Sequence, residues 1–301
     1  VYNEVDSLAR LYDRIRVSME RVDPNFEIIF VDDGSTDGTD KVMCQLHERD
    51  PRVRVIQFRR NFGKSPALLA GFQMARGAII FTMDADLQDD PDEIPLFIEQ
   101  IDAGYDLVSG WKFPRLDPPT KTVPSFFFNR VVATTTGVKL HDMNCGFKAY
   151  RHELIDELKL YGELHRFIPV MATRRGFRVT EVKVRHHPRE FGKSKYGARR
   201  FLRGFLDLLT VLFLTSYLRT PLRLFGPLGL VTFLTGFVID LWVVFNRFVY
   251  NDPIHNHPIV FLGILLMIVG VQLVLTGLQS EMIRHFNFSP REEYSIRRVL
   301  D

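Results

Sequence analysis

The chain is poor in cysteine, in tryptophan and in net charge. Its 301 residues include 2 cysteines and 2 tryptophans, and its formal net charge is +3 at pH 7. Cys44 and Cys145 lie in unrelated contexts without metal-ligand spacing, which excludes a disulfide framework and predicts a reducing compartment. So weak a net charge excludes nucleic acid as an expected partner. No charged and apolar leader follows Val1, so no signal peptide is expected, and a few residues are expected to precede it.

Hydrophobic residues, in contrast, are abundant, and they make up 46% of the chain. This is more than one soluble domain of this size requires. Up to about residue 184, short apolar runs alternate with amphipathic stretches, a pattern typical of an α/β domain with a largely parallel sheet. The pattern predicts strands at residues 27–31, 53–58, 78–83, 105–110 and 180–185, and helices at residues 65–76, 91–103 and 152–160.

Two long apolar stretches close the chain, at residues 225–245 and 259–278. Each has about 20 residues, which as a helix span the ~30 Å hydrocarbon core of a bilayer, so two transmembrane helices are predicted. The link at 246–258 carries one basic residue, whereas residues 185–203 carry seven and the tail after Met282 carries four. The positive-inside rule therefore predicts an integral membrane protein whose N-terminal domain and C-terminal tail are cytoplasmic.

The stretch between the α/β domain and the first predicted span is too polar and too short for a third span, and an interfacial helix is expected there. We therefore expect three parts: an α/β domain at 1–200, interfacial amphipathic helices at 201–224, and a two-helix transmembrane anchor with its tail at 225–301.

Asp240 is the one acid within either apolar stretch. A carboxylate near the middle of a span costs ~2.5–3.5 kcal/mol, so a partner is expected. The candidates are Arg247, Gln272 and a polar group from a neighbouring subunit of a homo-oligomer. The alternative is a protonated carboxyl that is tolerated near the interface.

The tripeptide Asp84-Ala85-Asp86 directly follows a predicted strand. It would lie at the carboxyl edge of a parallel sheet, where open α/β sheets bind ligands. Extended backbone places Asp84 and Asp86 on the same side, so both can reach one hard cation that also takes diphosphate oxygens. In transfer from a nucleoside diphosphate, Mg²⁺ or Mn²⁺ offsets the charge left on the diphosphate. The alternative is a solvated acidic turn.

Three segments in chain order resemble the family-two glycosyltransferases of the GT-A fold: YNE at residues 2–4, VDDGSTDGT at 31–39 and DADLQ at 84–88. Two more, DMNCGFKAY at 142–150 and REFGKSKY at 189–196, are similar to the polyprenyl-phosphate branch, which includes dolichyl-phosphate mannose synthase. The resemblance implies a Rossmann-like α/β domain that transfers a sugar, with inversion, from a UDP- or GDP-linked donor to a dolichyl or undecaprenyl phosphate at the cytoplasmic membrane face.

The resemblance also implies roles on the donor side. The residues implied to bind the nucleotide-sugar are Tyr2, Glu4 and Asp33 in the nucleoside pocket, Asp84 and Asp86 at the metal and diphosphate, and Gln88. Gln88 is expected either to contact the sugar or to cap the following helix. For Asp32, a turn-capping role is preferred over a contact with the base. Lys64 is expected either to meet a phosphate at a helix N-terminus or to lie on the surface.

On the acceptor side, the motif match assigns Arg189 and Lys195 to the lipid phosphate, with Lys112 and Arg130 as further candidates. A lipid phosphate has a second pKa near ~6 and is already largely ionised at pH 7, so it needs positioning more than deprotonation. Asp142 completes the implied catalytic set. It is expected to orient the sugar or acceptor or to hold a loop, with general-base catalysis as the alternative.

Three other functions are alternatives to transfer of a sugar to a lipid phosphate. A processive or hydroxyl-acceptor membrane glycosyltransferase shares the nucleotide motifs, but processive synthases carry a Gln-x-x-Arg-Trp segment. The tryptophans here, Trp111 and Trp242, follow glycine and leucine. A non-catalytic nucleotide-sugar-binding membrane scaffold is disfavoured by the intact acids. A dinucleotide-binding oxidoreductase is excluded because no Gly-x-Gly-x-x-Gly follows the early strands.

Overall fold

The computed structural model describes residues 1–114, 129–158, 160, 162, 164–187, 221–250 and 258–286. The chain divides into two compact units, Val1–Val211 and Leu212–Asp301. The described residues do not include 201–220 of the predicted interfacial helices. They also do not include the predicted phosphate ligands Arg189 and Lys195. The three-part division therefore stays a prediction.

The first half of the N-terminal unit is a two-stranded parallel sheet with three helices. Its elements are α1 (Leu8–Val22), β1 (Ile28–Asp32), α2 (Thr39–Arg49), β2 (Val53–Gln57) and α3 (Lys64–Met74). β1 and β2 pair in register from Ile28 opposite Val53 to Asp32 opposite Gln57. The β-branched residues of both strands suit a half-buried pleated surface. Leu8, Tyr12, Phe30, Met43 and Val53 form the buried core between α1, α2 and the sheet.

A four-stranded sheet forms the second half of this unit. Its elements are β3 (Ile79–Thr82), a 3₁₀ turn (Pro91–Glu93), α4 (Ile94–Asp102), β4 (Leu107–Lys112), α5 (residues 129–136), β5 (Lys148–Arg151), α6 (His152–Asp156), a second 3₁₀ turn (Leu164–Phe167), α7 (Ile168–Arg174) and β6 (Val179–Val184). The strand order is β3-β5-β4-β6. β4 and β6 are parallel, and β5 runs antiparallel to both β3 and β4.

The predicted strands are confirmed, with bounds that shift by no more than two residues, and the predicted helices at 65–76 and 91–103 correspond to α3 and to the 3₁₀ turn followed by α4. The predicted helix at 152–160 is wrong in length, since α6 ends at Asp156. β5 was not predicted, because its sequence Lys-Ala-Tyr-Arg has charged ends and no alternation. It nevertheless brings the 142–150 segment between β3 and β4, and this position matters for the site.

Two long helices close the chain, Leu222–Tyr250 and Ile259–Phe286. Both are long and apolar enough to cross a membrane, which agrees with the two predicted spans. They pack through glycines spaced seven residues apart, Gly229 and Gly236 on the first helix, and Gly263, Gly270 and Gly277 on the second. A Cβ on Gly229 would lie 2.6 Å from the carbonyl oxygen of Gly270, so the backbones are in direct contact there.

Asp240 belongs to the same glycine contact. Its carboxylate lies against Gly263, where a Cβ would overlap it. Its Oδ1 atom is buried and has no hydrogen-bond partner within the described ranges. The structure therefore gives Asp240 a role in the close packing of the two helices, and the ion-pair or subunit partner expected from the sequence stays a prediction.

Candidate active site

The turn after β1 is held by its own acid. Asp32 Oδ1 accepts hydrogen bonds from the Ser35 amide at 3.0 Å and from Ser35 Oγ at 2.5 Å. This is the turn-capping role that the sequence favoured for Asp32.

The segment at residues 2–4 is fastened to that turn by hydrogen bonds. The Asn3 amide donates to Ser35 Oγ at 2.9 Å, and Asn3 Oδ1 accepts from the Thr36 amide at 2.9 Å. The Glu4 amide donates to Thr39 Oγ1 at 2.9 Å. Two of the three motifs thus form one loop cluster at the carboxyl end of β1, which is where a ligand would bind. Tyr2 and Glu4 belong to this cluster, and their contact with a nucleoside stays a prediction.

Asp33 links the same cluster to the loop before α3. Its carboxylate accepts hydrogen bonds from the amides of Phe62 at 2.6 Å and Gly63 at 3.0 Å, and the residue is 7% exposed. Gly34 has φ of +74° and lies so close to the neighbouring loop that a Cβ would be 2.5 Å from the carbonyl carbon of Arg60. Asp33 therefore fixes the start of α3, and its contact with a nucleoside stays a prediction.

Lys64, the first residue of α3, is placed opposite the acid motif. Its Nζ lies 2.5 Å from Asp84 Oδ1, and the two side chains are 35% and 41% exposed. Burial acts to raise the pKa of the Asp84 carboxyl, but the nearby Lys64 ammonium outweighs it and holds that pKa below its usual range. The carboxylate also lies against the backbone of Gly146, where a Cβ would be 2.7 Å from Asp84 Cγ. Two segments far apart in sequence therefore fix the position of Asp84.

The loop that carries Asp86 is strained at one residue. Leu87 is buried and has φ of +60°, which is unusual for a side chain of its type. The Gln88 amide donates to Asp86 Oδ1 at 3.3 Å, which closes the turn. Ser7 Oγ, at the start of α1, lies 2.8 Å from the carbonyl oxygen of Ala85. Such strain is typical of sites whose geometry is imposed by function.

A third acid of this loop, Asp89, is fully buried beside Lys112. The Lys112 Nζ lies 3.1 Å from Asp89 Oδ1, and the side chains are 12% and 0% exposed. Burial raises the pKa of Asp89, and the negative charge of Asp89 raises the pKa of Lys112 despite burial of the ammonium. Asp89 was not among the predicted site residues, although the acidic pair Asp89-Asp90 directly follows the DADLQ segment. The structure pairs Lys112 with this acid, and its predicted contact with the acceptor phosphate stays a prediction.

The 142–150 segment adds a buried lysine and a loop-holding acid. Lys148 is 4% exposed, its Nζ donates to the carbonyl oxygen of Cys145, and burial lowers its pKa. In the β3–β5 pair it stands opposite Thr82, two residues before Asp84. Asp142 is buried, and its Oδ1 accepts a hydrogen bond from the Asn144 amide at 3.3 Å. This geometry agrees with the loop-holding alternative for Asp142.

His165 lies on the other side of Lys64. Its Nδ1 is 2.9 Å from Oγ of Ser65, the residue after Lys64. Burial, together with the positive charges of Lys64 and Arg166, lowers the pKa of His165 to about 3. The imidazole is therefore neutral at pH 7 and positions Ser65 without adding charge. Sequence alone offered no signal for this contact, because the two residues are 100 positions apart.

His186 and His187, the last described residues before the predicted acceptor motif, contact the loop at residues 84–90, which we call the acid loop. The His187 amide donates to the carbonyl oxygen of Gln88 at 3.0 Å, and His187 Nε2 lies 3.1 Å from Asp90 Oδ2. Gln88 Nε2 lies 3.3 Å from Nε2 of His186. In this structure Gln88 therefore contacts the segment that leads to Arg189. Arg130, the other predicted acceptor ligand within the described ranges, lies exposed on α5.

The donor set fits a divalent cation that completes its coordination with substrate oxygens. Within the described ranges, no three histidine, cysteine or acid side chains converge into a ready-made metal cage. Asp84 and Asp86 supply hard oxygen ligands, and Mg²⁺ is commonly bound by one or two carboxylates together with substrate phosphates. The pair of acids could thus hold a metal–diphosphate complex, and their role as metal ligands stays a prediction.

Solved structures identify the fold. The chain is similar to glucosyl-3-phosphoglycerate synthase from Mycobacterium tuberculosis in complex with Mn²⁺ and UDP-glucose, with a TM-score of 0.52 and 16% identity over 71% of this chain and 76% of that one. It is also similar to mannosyl-3-phosphoglycerate synthase from Rubrobacter xylanophilus, with a TM-score of 0.52 and 17% identity over 70% of each chain. These likenesses show that the N-terminal domain has the GT-A fold.

The sequence identifies the family. Residues 1–159 match the model of glycosyl transferase family 2, and the chain belongs to that family. A curated relative, dodecaprenyl-phosphate galacturonate synthase of Rhizobium johnstonii, is 37% identical over 100% of this chain and 91% of its own length. Another, undecaprenyl-phosphate 4-deoxy-4-formamido-L-arabinose transferase of Klebsiella pneumoniae, is 36% identical over 100% of this chain and 91% of its own length. The family and fold predicted from the motifs are confirmed.

Proposed function

We propose that this chain is an inverting glycosyltransferase of the membrane that moves a sugar from a nucleotide-sugar to a polyprenyl phosphate. The observation that carries the proposal is the acid loop of Asp84 and Asp86, positioned within a family-two domain whose chain closes with two membrane-length helices. The full-length similarity to relatives named for polyprenyl-phosphate acceptors supports the same acceptor class.

The donor would bind at the loop cluster formed by the three N-terminal motifs. Tyr2, Glu4 and Asp33 would line the nucleoside pocket at the end of β1. Asp84 and Asp86 would hold Mg²⁺ or Mn²⁺, which when bound offsets the charge of the departing diphosphate. The acids of this cluster are already held by hydrogen bonds and backbone contacts, so little reorganisation of these acids is required at the moment of reaction.

The chemistry requires no general base from the protein. One oxygen of the acceptor phosphate forms the new bond to the anomeric carbon while the bond to the diphosphate oxygen breaks, and a single displacement of this kind inverts the carbon. The attacking oxygen is already ionised at pH 7. Asp142 would accordingly hold its loop, which agrees with its burial and with its bond to the Asn144 amide.

The acceptor would be held by cations beyond the acid loop. Arg189 and Lys195 are the proposed ligands of the lipid phosphate, and Lys112 and Arg130 are the further candidates. Docking of the His187 backbone on Gln88 supports this placement, because it starts the basic segment beside the donor site. The distribution of basic residues supports a cytoplasmic position for the domain and the tail.

A panel of radiolabelled nucleotide-sugars tests the proposal. Membranes containing the chain are incubated with undecaprenyl phosphate and each donor, including UDP-glucose, UDP-galacturonate and GDP-mannose. We expect label from at least one donor in the lipid phase. Label in an insoluble polymer would instead indicate a processive synthase, and nucleotide binding without transfer of any donor would indicate a scaffold.

Replacing Arg189 with alanine is expected to weaken use of the acceptor more than binding of the nucleotide. A guanidinium holds phosphate by paired hydrogen bonds, and alanine supplies none. The measurement is the apparent KM for undecaprenyl phosphate together with the Kd for the nucleotide, and the matched control is Arg199→Ala, a basic residue of the same segment. A fall in nucleotide affinity with an unchanged lipid KM would reverse our assignment of donor and acceptor sides.

Replacing Asp240 with asparagine is expected to leave sugar transfer intact. The carboxylate packs on Gly263 between the two long helices, so its proposed role is structural. Gly263→Leu, by contrast, should lower the thermal stability of the detergent-solubilised protein, because the new side chain would collide with Asp240. Loss of turnover in an Asp240→Asn protein that still inserts normally would show that these helices take part in handling the acceptor.

A further inference from the structure

The ion pair between Lys64 and Asp84 occupies an oxygen that the proposed function needs for a metal. The Lys64 Nζ lies 2.5 Å from Asp84 Oδ1. A divalent cation bound to the same carboxylate would bring two like-charged groups together at this oxygen. Lys64 and the metal therefore compete for Asp84.

Of the three lysine contacts described near Asp84 and Asp89, this ion pair is the most exposed to solvent. The Lys64 and Asp84 side chains are 35% and 41% exposed, and an ion pair that water reaches contributes little to stability. Lys112, by comparison, is almost fully buried on Asp89. Lys148 is buried and donates to a backbone carbonyl. Among these three lysines, Lys64 is accordingly the one whose ammonium can move to another partner with the smallest loss of buried contacts.

The backbone of Lys64 is fixed while its side chain remains accessible. Asp33 holds the amides of Phe62 and Gly63 immediately before it, and Ser65 immediately after it is fully buried against His165. The long, rotatable lysine stem can therefore move its ammonium by a few ångströms without disturbing the fold.

On the basis of the proposed function, we propose that Lys64 neutralises Asp84 when the site is empty and moves to the donor diphosphate when metal and nucleotide bind together. Neither ligand alone completes the exchange: the metal alone displaces Lys64 from Asp84, and the nucleotide alone competes with Asp84 for the Lys64 ammonium. With both present, the metal takes the carboxylates and Lys64 takes a phosphate oxygen. The exchange makes the binding of metal and nucleotide cooperative.

The experiment measures Mn²⁺ binding to the full-length chain in detergent by electron paramagnetic resonance, which counts free Mn²⁺. Wild type and Lys64→Met are titrated without nucleotide and with saturating UDP or, where UDP does not bind, GDP. In wild type we expect the nucleotide to tighten Mn²⁺ binding by about tenfold or more, within the usual range of coupling between sites. In Lys64→Met we expect tighter Mn²⁺ binding without nucleotide and a smaller coupling than in wild type, the remainder coming from the diphosphate oxygens that ligate the metal directly.

A static ion pair predicts a different result. In that case Lys64→Met would tighten Mn²⁺ binding equally with and without nucleotide, and the unchanged coupling would overturn this inference alone. The matched control is Lys41→Met, which removes an exposed lysine of α2 and should bind Mn²⁺ as wild type does, both with and without nucleotide. If wild type bound no Mn²⁺ even with UDP or GDP, the metal-dependent donor site would itself be contradicted, and this inference with it.

Discussion

Replacing Asp86 with alanine is expected to abolish sugar transfer while leaving the fold intact. The carboxylate is held in a loop after β3, so its loss removes charge and a proposed metal ligand and little of the hydrophobic core. A Lewis acid at a departing diphosphate contributes several kcal/mol, so we expect turnover to fall by about 10³-fold or more. The measurement is the initial rate of labelled sugar entering the lipid phase at saturating Mg²⁺.

Two further variants separate the loss of charge from the loss of structure. Asp86→Asn keeps the side-chain volume and the oxygen that accepts from the Gln88 amide, and it should be nearly as inactive. Asp92→Ala removes an exposed acid six residues further along and should retain wild-type turnover. Full activity of the wild-type protein in excess chelator, or an active Asp86→Asn protein, would contradict a metal site at this loop.

Replacing Gly146 with alanine is expected to cause the second-largest loss. The added Cβ would lie 2.7 Å from Asp84 Cγ, so the carboxylate must move away from its present position. A displacement of about 1 Å at a catalytic group can cost about 10²-fold in rate. We expect turnover to fall by about that factor, together with weaker Mn²⁺ binding in the presence of nucleotide.

The control for Gly146→Ala is another glycine of the same domain. Gly71 lies within α3, and a Cβ there would make ordinary contact with the Val31 side chain at 3.4 Å. Gly71→Ala should retain both activity and metal binding. If Gly146→Ala turned over donor at the wild-type rate with an unchanged thermal transition, Asp84 would not need the position that the structure gives it.

The sequence predicted where the acids of the proposed donor site lie in the fold, because each of them follows an apolar strand. Asp33 and Asp84 come directly at or after the ends of β1 and β3, and this order is visible in the hydrophobic pattern alone. What it did not predict is how these acids are held. The contacts Asp33 to Phe62, Lys64 to Asp84 and Asp84 to Gly146 each join segments 20 or more residues apart, and no local periodicity encodes such contacts.

The pairing of β5 shows a second limit. A four-residue strand with lysine and arginine at its ends lacks the alternation that marks a half-buried strand. Its burial between β3 and β4 is imposed by the tertiary fold, and it is this pairing that places Lys148 beside the acid loop. The fully buried Asp89 escaped prediction for a similar reason, since an acid is rarely fully buried unless it is paired.

The membrane helices were predicted from length and composition, whereas their contact was not. The apolar runs are unmistakable because about 20 residues span a bilayer. The seven-residue spacing of the glycines was equally present in the sequence, but it marks a contact face only when the two helices are known to pack against each other. The position of Asp240 against Gly263 follows from that packing.

The choice of acceptor tests the account most directly. The purified full-length chain is incubated with its labelled donor and either undecaprenyl phosphate or undecaprenol, and the lipid product is examined by ³¹P and ¹H nuclear magnetic resonance. We predict transfer to the phosphate alone, with a phosphodiester-linked sugar of inverted anomeric configuration. Equal transfer to the alcohol, or a product that retains the configuration of the donor, would contradict the proposed function.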